Sequence, residues 1–483
     1  MSYGVNNIRF GGIASGLDTE KIVKDLMRLE QIKVDRVVQE KQLLEWKRSD
    51  YREINTKLLA LRNSVFDLKL QSSFLAREVV SSDESVVQGV SVNAGATLGN
   101  YEIEVVQLAK GASYQSTPAD GFSAVDGSFT IAGSKGSAEI TLGAGETVQN
   151  VVDKINDAAD TTGVKAVYDE DLNRLFLMSA DTGDAAAIKF TASDAGGKTN
   201  LENLLGGTFN EGSEVTLSQG QNALIRINGG DDISFASNQV KVIGLTLNLK
   251  SKGTATVSVN QDIDAAVDKI KAFVENYNAV MEKIDTKLTE KRYRDYPPLT
   301  DEQKKEMKEN EIELWEEKAR SGLLNSDPML RSIYSQIRMT AMDAVSGIES
   351  NYKTLNSIGI NTLSWNDHGK LYVDEEKLRE ALSEDIEGVM ALFTNEAENG
   401  IAQKLYDTVN NSINSIVAKA GRDDYKVDNS TLGKEILEQT EKIFEMQEKM
   451  AEIEERYWKQ FTAMEKALAR MQSQSDWLMA QLS

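Results

Sequence analysis

The chain has 483 residues, of which 40% are hydrophobic and 27% are charged, so it is long enough for about two to four domains and apolar enough to bury their cores. Its formal net charge of −22 repels phosphate backbones and anionic membrane surfaces, so we expect no nucleic-acid partner. There is no cysteine and a single histidine, His368. This nearly excludes disulfides, thiolate or imidazole metal sites and histidine-activated nucleophiles.

The start of the chain lacks a basic segment, an apolar segment and a small-residue cleavage site, so we expect no ordinary cleaved secretion signal. No apolar run approaches the length that spans a bilayer, and we expect no membrane insertion. Composition alone would therefore place the protein in the cytosol.

The first long helix is predicted to begin after Asp18. Residues 17–88 contain neither glycine nor proline, and Asp18 stands where an N-cap residue is favoured. Farther along, apolar residues recur in alternating steps of three and four, which places them in one narrow seam on a helix face. The seam residues are Tyr51, Ile54, Leu58, Leu61, Val65 and Leu68.

Residues 79–259 have a different texture, with dense glycine, frequent threonine, valine and isoleucine, and short alternating runs between turn signals. This pattern predicts a β-rich region. One stretch, residues 148–159, is predicted as a helix because an apolar stripe repeats at helical spacing. The predicted strands include residues 101–106, 138–142, 174–178 and 245–249.

Helix returns after Asp262, and residues 263–288 keep the same three-four rhythm as the first seam, so we expect the two helices to pack together. The last helix would be about 75 Å long at 1.5 Å per residue, and its apolar stripe needs a partner helix. The helical segments before and after the β-rich region should therefore meet in one bundle. Further helices are predicted at residues 301–318, 328–345, 375–393 and 434–483, with a short hairpin strand at 371–373.

Two motifs resemble chemical sites without completing them. Residues 192–199 approach the phosphate-loop pattern G-x-x-x-x-G-K-[ST], but Ala192 replaces the first glycine, and we interpret the segment around Lys198 as a surface turn. Asp169, Asp171 and Asn173 resemble the opening of a calcium loop that lacks its glycine and its final carboxylate, so a hairpin turn is favoured. We predict no cofactor, no metal site and no enzymatic activity.

Aromatic residues near the end of the last helix allow two interpretations. Tyr457, Trp458 and Phe461 fit a coiled-coil core, and they equally fit a contact with another molecule, where tryptophan and tyrosine are enriched. Trp477 and Leu478 favour a contact with another molecule, because few residues follow them to build a core.

Both ends of the chain resemble the bacterial flagellar filament cap family, also called flagellar hook-associated protein 2. The opening signature is FGGIASGLDT at residues 10–19, and the closing one is YWKQFTAME at 457–465 with SQSDWL at 473–478. Residues 145–166 are similar to the IN motif of flagellin-related head domains. The resemblance covers nearly the whole chain, and the acidic insert at residues 291–318 is its least typical part.

The resemblance implies a ring-like homo-oligomer, commonly a pentamer, on the distal end of the growing filament, where exported flagellin refolds beneath it. It also implies export by the flagellar type III apparatus with an export chaperone, without a cleaved signal, and thus an extracellular location. The terminal helices would dock on the filament end and on other copies, and we expect them to be frayed in the free monomer. The predicted contact residues are Phe10, Ile13, Leu17, Ile22, Leu26, Tyr457, Trp458, Phe461, Met464, Trp477 and Leu478.

The expected fold is α+β and multidomain, with four parts. Long terminal helices pair as a coiled coil, a helical bundle forms a leg, and β-rich head domains are inserted between. The predicted boundaries are 1–45 with 435–483 for the terminal coiled coil, 46–75 with 262–434 for the leg, 76–112 with 220–261 for the inner head, and 113–219 for the outer head.

Two other functions fit parts of the same pattern. Another axial protein of the flagellum, such as a junction protein or a flagellin, would share the paired terminal helices. An adhesin would use the exposed head to bind a host surface. Subunit number, head contacts and the role of the acidic insert are not determined by the residues.

Overall fold

The computed structural model of the chain describes residues 16–93, 95–363, 367–395, 400–422 and 428–482. The fold is α+β and divides into two compact units. Of the described residues, unit 1 contains those up to Phe74 and those from Ile263 onward, and unit 2 contains those of Leu75–Asp262. The predicted meeting of the two helical segments in one bundle is therefore confirmed.

The elements are numbered in chain order. The helices are α1 Thr19–Lys69, α2 Val148–Asp157, α3 Ala159–Thr162, α4 Ala195–Leu205, α5 Ile263–Thr289, α6 Asp301–Glu306, α7 Glu309–Arg320, α8 Pro328–Ala341, α9 Glu375–Glu384, α10 Ile386–Thr394, α11 Ile401–Ala420 and α12 Thr431–Leu482. The strands are β1 Arg77–Ser81, β2 Val87–Val92, β3 Gly99–Gln107, β4 Ser113–Ser116, β5 Gly127–Ala132, β6 Ser137–Leu142, β7 Val164–Asp169, β8 Arg174–Ser179, β9 Ala187–Ala192, β10 Glu214–Gln219, β11 Ala223–Ile227, β12 Ile233–Phe235, β13 Gln239–Val242, β14 Leu245–Leu249, β15 Gly253–Gln261, β16 Ile360–Asn361 and β17 Tyr372–Val373.

The core of unit 1 is built around the second half of α1. The predicted seam from Tyr51 to Leu68 is fully buried and packs against α5 and α11, as the matching rhythm of the two seams indicated. Phe74 and Phe393 stack with ring centroids 5.5 Å apart at the end of this core. Burial of a continuous apolar stripe is what stabilises helices of this length.

Several predicted helices are divided or shortened. The helix predicted at 375–393 is two helices, because the Asp385 carboxylate accepts the Gly388 N–H at 2.8 Å and starts α10 as a new helix. The predicted helices at 148–159 and 301–318 are also each two helices, and α8 ends at Ala341 rather than at residue 345. Helix α12 begins at Thr431, before the predicted start, and runs through Gly433.

Unit 2 contains antiparallel sheets together with helices α2, α3 and α4. The strand orders are β1-β15-β3-β11-β12, β10-β9-β5-β6, β13-β14-β2 and β4-β8-β7. The four runs predicted as strands lie in β3, β6, β8 and β14. Two separate apolar clusters fill the unit, one from residues 86–109 and 223–259 and the other from residues 112–209. The division of the chain into four domains stays a prediction.

Helix α2 covers the outer edges of two of these sheets. Strand β6 ends one sheet and β7 ends another, and α2 packs against both. Lys154 Nζ donates to the Thr141 carbonyl oxygen of β6 at 2.8 Å. The Asn156 amide pairs with both backbone groups of Ala166 in β7, each at 2.9 Å. Side chains of one helix thus satisfy backbone groups that an edge strand would otherwise expose.

Two predicted turns are confirmed. Asn173 lies between β7 and β8 with a φ of 46°, a left-handed conformation that asparagine tolerates, so the calcium-like motif is a hairpin turn. In unit 1, β17 forms the predicted hairpin strand by pairing with β16, and His368, whose φ is 50°, lies in the turn region between the two strands.

Candidate functional site

The first half of α1 starts at a formed cap. The Asp18 carboxylate accepts the Lys21 N–H at 2.9 Å, which confirms the predicted start of the helix. In this half Thr19, Val23, Val34 and Val37 are buried, but the other residues are half-buried or exposed. This half of the helix is therefore packed along one narrow face only.

Helix α12 runs antiparallel to α1. The Arg52 guanidinium donates to the Ala420 carbonyl at the end of α11 and to the Asp428 carboxylate at 2.9 Å in both cases. Tyr406, near the start of α11, lies with its ring centroid 5.9 Å from that of Phe66. The start of α11 therefore lies beside Phe66 and its end lies beside Arg52, so α11 is antiparallel to α1. Helix α12 begins near Arg52 and extends toward the beginning of α1.

The predicted apolar stripe of α12 lies on its half-buried side. Four of the predicted contact residues are on this side, and two more, Ile22 and Leu26, are half-buried on α1. Trp458 Nε1 donates to a Glu454 carboxylate oxygen at 3.2 Å. The half-buried contact residues of α12 are Tyr457, Trp458, Phe461 and Met464.

Beyond this paired part, α12 is exposed. At 1.5 Å per residue, α12 is about 78 Å long, whereas α1 extends about 50 Å from Thr19 to Arg52. The end of α12 therefore lies beyond the described start of α1. Trp477 is 60% exposed, and Met479 is 71% exposed. We call the following exposed apolar residues the terminal stripe: Leu17 before α1, Leu29 and Ile32 on the first half of α1, and Met471, Trp477, Leu478 and Met479 near the end of α12.

The predicted contact residues thus have different surroundings. The structure brings Ile22 and Leu26 into the half-buried part of the α1–α12 pair, and it leaves Leu17, Trp477 and Leu478 exposed. Phe10 and Ile13 lie outside the described residues. The docking role of all these residues stays a prediction.

The phosphate-loop-like segment is not a surface turn. It forms the first turn of α4, where the Asp194 carboxylate accepts the Gly197 N–H at 2.7 Å and occupies the helix N-terminus that a phosphate would need. Gly196 and Gly197 pack so closely on the backbone of Asp126 and Ser128 that an added Cβ would overlap it. The glycines therefore serve close packing of a helix on β5.

Among the described residues, no cluster of three or more histidine or carboxylate side chains has the arrangement of a metal site. In the same part of the chain, no helix combines the length and the apolar character needed to cross a membrane.

Polar residues beside the α1 seam were missed from the sequence. Asp50 is fully buried, and Arg320 and Lys287 pair with it. Next to it, the Tyr51 hydroxyl donates to an Asp327 carboxylate oxygen at 2.6 Å. Burial, reinforced by the hydrogen bond and charge of Asp327, raises the pKa of Tyr51 well above its ordinary value. An aspartate directly beside the seam was a visible signal, but its partners lie more than 230 positions away.

The arrangement is that of a structural assembly protein. The helices on either side of a β-rich insertion join in one unit, and within the described part of the chain the apolar side chains of the terminal stripe remain exposed.

Comparison with known proteins agrees with this class. Models described as flagellar hook-associated protein 2 C-terminus, flagellar hook-associated protein 2 N-terminus and flagellin hook IN motif match residues 220–473, 15–112 and 128–181. Flagellar hook-associated protein 2 of Halalkalibacterium halodurans is 31% identical, with 97% of this chain and 98% of that protein covered. The protein of that name from Salmonella typhimurium is 30% identical, with 73% and 70% covered.

A solved structure, the D1-D2-D3 domains of the flagellar cap protein FliD from Escherichia coli, has a TM-score of 0.53 at 25% identity, covering 75% of this chain and 95% of that chain. The chain belongs to the flagellar hook-associated protein 2 family, a family of structural proteins of the bacterial flagellum.

Proposed function

We propose that this protein caps the distal end of the flagellar filament, outside the cell, as a ring of identical subunits that is most simply a pentamer. It retains exported flagellin and promotes its folding and insertion beneath the ring. Its relatives carry the name flagellar hook-associated protein 2, and the structural neighbour is titled a flagellar cap protein. The chain itself reaches the tip through the flagellar type III apparatus with an export chaperone.

The terminal stripe carries the proposal. Its side chains are apolar and on average more than half exposed, and those on α12 lie in a stretch whose neighbouring side chains, residues 469–479, are exposed as well. A coiled-coil seam of this kind is completed by another apolar helix. Flagellin helices at the filament end and the neighbouring cap subunit are partners with that chemistry.

Unit 2 is proposed to form the plate of the cap by side-to-side contacts between copies. It has its own apolar cores, separate from the helical core of unit 1, so it can present a rigid surface without help from the terminal helices. In this proposal the terminal helices of unit 1 dock on the filament end, and unit 2 forms the plate that covers it.

A truncation after Leu437 tests this division, because it removes most of α12 and leaves unit 2 intact. We expect cells that express the truncated chain to release unpolymerised flagellin into the medium at the level of cells without the gene. The purified truncated chain should retain the β-sheet circular dichroism and the unfolding transition of unit 2. Normal filament growth with the truncated chain would contradict the proposal.

A further inference from the structure

Helix α1 is continuous from Thr19 to Lys69, yet its surroundings change near Asp50. From Tyr51 onward its seam lies in the core of unit 1 with no exposure above 1%. Before Gln39 it packs along one narrow face. We call the first part of α1, together with α12 beyond Thr440, the arm, and the second part of α1 with its packed helices the leg core.

The segment between α5 and α8 folds against itself. Arg292 donates to the Ala319 and Ser321 carbonyls at 2.5 and 3.1 Å, which closes the base of the segment. Trp315 Nε1 donates to the Pro297 carbonyl at 2.8 Å, and the ring of Trp315 lies 4.7 Å from that of Tyr296. The acidic insert is thus an ordered part of unit 1, which its charge-rich sequence did not reveal.

This segment forms side-chain contacts with α1 at two points. Gln39 Nε2 donates to the Pro298 carbonyl at 2.7 Å. At the other point, Arg320 donates to Asp50 Oδ1 from Nη2 at 2.7 Å and from Nε at 3.2 Å. Lys287 Nζ lies 3.4 Å from the second oxygen of Asp50. A fully buried carboxylate held by two cations is costly to separate, because either partner left alone is an uncompensated charge.

A second set of contacts holds the same stretch of α1 through Asp428, just before α12 begins. Arg52 and Arg48 donate to one oxygen of that carboxylate at 2.9 and 3.4 Å. Every residue from 41 to 48 is half-buried, so this stretch is less exposed than the part of α1 before Gln39. We call these two sets of contacts, to Gln39, Arg48, Asp50 and Arg52, the collar.

We propose that the collar is a mechanical boundary, which lets the two helices of the arm separate and pair with other helices while the leg core stays folded. The inference rests on the proposed function, since an arm that docks on a filament must exchange its own pairing for another. Proteins open in cooperative units whose limits fall where packing changes. The collar lies between the part-buried helix pair of the arm and the fully buried leg core. Its ion pairs at Asp50 and Asp428 hold α1 on the side of the leg core.

Hydrogen exchange measured by mass spectrometry on the full chain tests the collar directly. We expect peptides from residues 19–38 and 440–482 to exchange at least about tenfold faster than peptides from residues 54–68, with the step inside residues 39–52. In Arg320→Ala, peptides covering residues 41–50 should exchange about tenfold faster, while those from 58–68 change much less.

Two further variants keep the test decisive. Arg294→Ala removes an exposed arginine of the same segment and should leave the exchange of residues 41–50 unchanged. If Arg320→Ala does not fold, Gln39→Ala removes one hydrogen bond only and should accelerate the same stretch to a smaller extent. Uniform exchange along α1 in the unmodified chain would overturn the proposal, as would an Arg320→Ala effect that is equal in the leg core or absent.

The result is independent of capping. A chain that shows the exchange step but fails to retain flagellin would overturn the proposed function and leave the collar in place. A chain that retains flagellin but exchanges uniformly would overturn the collar alone.

Discussion

Two strand edges of unit 2 are covered within the chain, whereas apolar side chains on the helices of unit 1 are left exposed. In unit 2, α2 covers the outer edges of β6 and β7, and its Lys154 and Asn156 side chains bond their backbone groups. In unit 1, the terminal stripe leaves Trp477 and Met479 mostly exposed. These two edges of unit 2 are therefore closed within one chain, whereas we propose that the exposed end of unit 1 is completed by another molecule.

Covered strand edges and exposed apolar helix residues have different physical explanations. An open sheet edge pairs with any extended chain, so an exposed edge promotes indiscriminate association. An apolar helix stripe accepts only a helix whose side chains interdigitate with it, so it can remain open and still select its partner. Specific docking is therefore expected at the helical end and not at the sheet edges.

The largest expected effect distinguishes the leg core from the terminal stripe on the same helix. Leu58 is fully buried, and Leu58→Ala should lower the free energy of unfolding of unit 1 by about 3 kcal/mol. Leu29 belongs to the terminal stripe, and Leu29→Ala should change it by less than about 0.5 kcal/mol. Urea unfolding followed by circular dichroism measures both. Equal losses would contradict the distinction between a closed core and an open stripe.

A smaller effect tests the closure of unit 2. Asn156→Ala removes both hydrogen bonds to Ala166, which is buried, and should lower the stability of unit 2 by about 2 kcal/mol. Light scattering should also detect association through the opened β7 edge. Asn210→Ala, at an exposed position, serves as the matched control. An Asn156→Ala chain as stable as the control would show that the edge needs no closure.

The smallest expected effect concerns the stability contribution of Asp428 in the collar, which depends on pH. Partial burial acts to raise the pKa of Asp428, but hydrogen bonds from Ser430 and the charges of Arg52 and Arg48 outweigh it and hold that pKa below its ordinary value. Its contribution to stability is therefore present above about pH 4, the pKa of an unfolded aspartate, and is lost as the pH falls through the lower folded value.

The comparison of Asp428→Asn with the unmodified chain measures this contribution. The difference in unfolding free energy should be largest near pH 7 and should disappear once the pH falls below the lowered folded pKa of Asp428. A difference that persists unchanged in acid would mean that Asp428 acts through its shape rather than its charge.

The sequence predicted the elements whose signal is periodic. The seam from Tyr51 to Leu68 and the start at Asp18 are confirmed, because burial and capping follow directly from residue type and spacing. Breaks inside helical stretches were missed where a side chain competes with the helix, as Asp385 does when it caps α10. The segment around Lys198 was wrongly interpreted as a turn, because glycines that favour a loop locally are required here by the close approach of α4 to β5.

The spacing of residues in the sequence did not predict contacts between residues that are far apart along the chain. The partners of Asp50 and the closure of β7 by Asn156 depend on tertiary positions that local spacing does not encode. Of the terminal stripe, Leu17, Trp477 and Leu478 were predicted as contact residues, but the sequence left open which of the predicted contact residues are paired within the chain. The structure places Tyr457 and Phe461 in the half-buried part and Trp477 in the exposed part.

The most direct test of the central claim is the double variant Trp477→Ala with Leu478→Ala, compared with Met339→Ala, which removes a side chain of α8 that is also mostly exposed. The measurement is the amount of unpolymerised flagellin in the medium of cells that express each variant, together with the urea midpoint of each purified chain. We predict unchanged midpoints for both, flagellin released as in cells without the gene for the double variant, and intact filaments for Met339→Ala. Normal filaments with the double variant would contradict the claim that the open stripe is the docking surface.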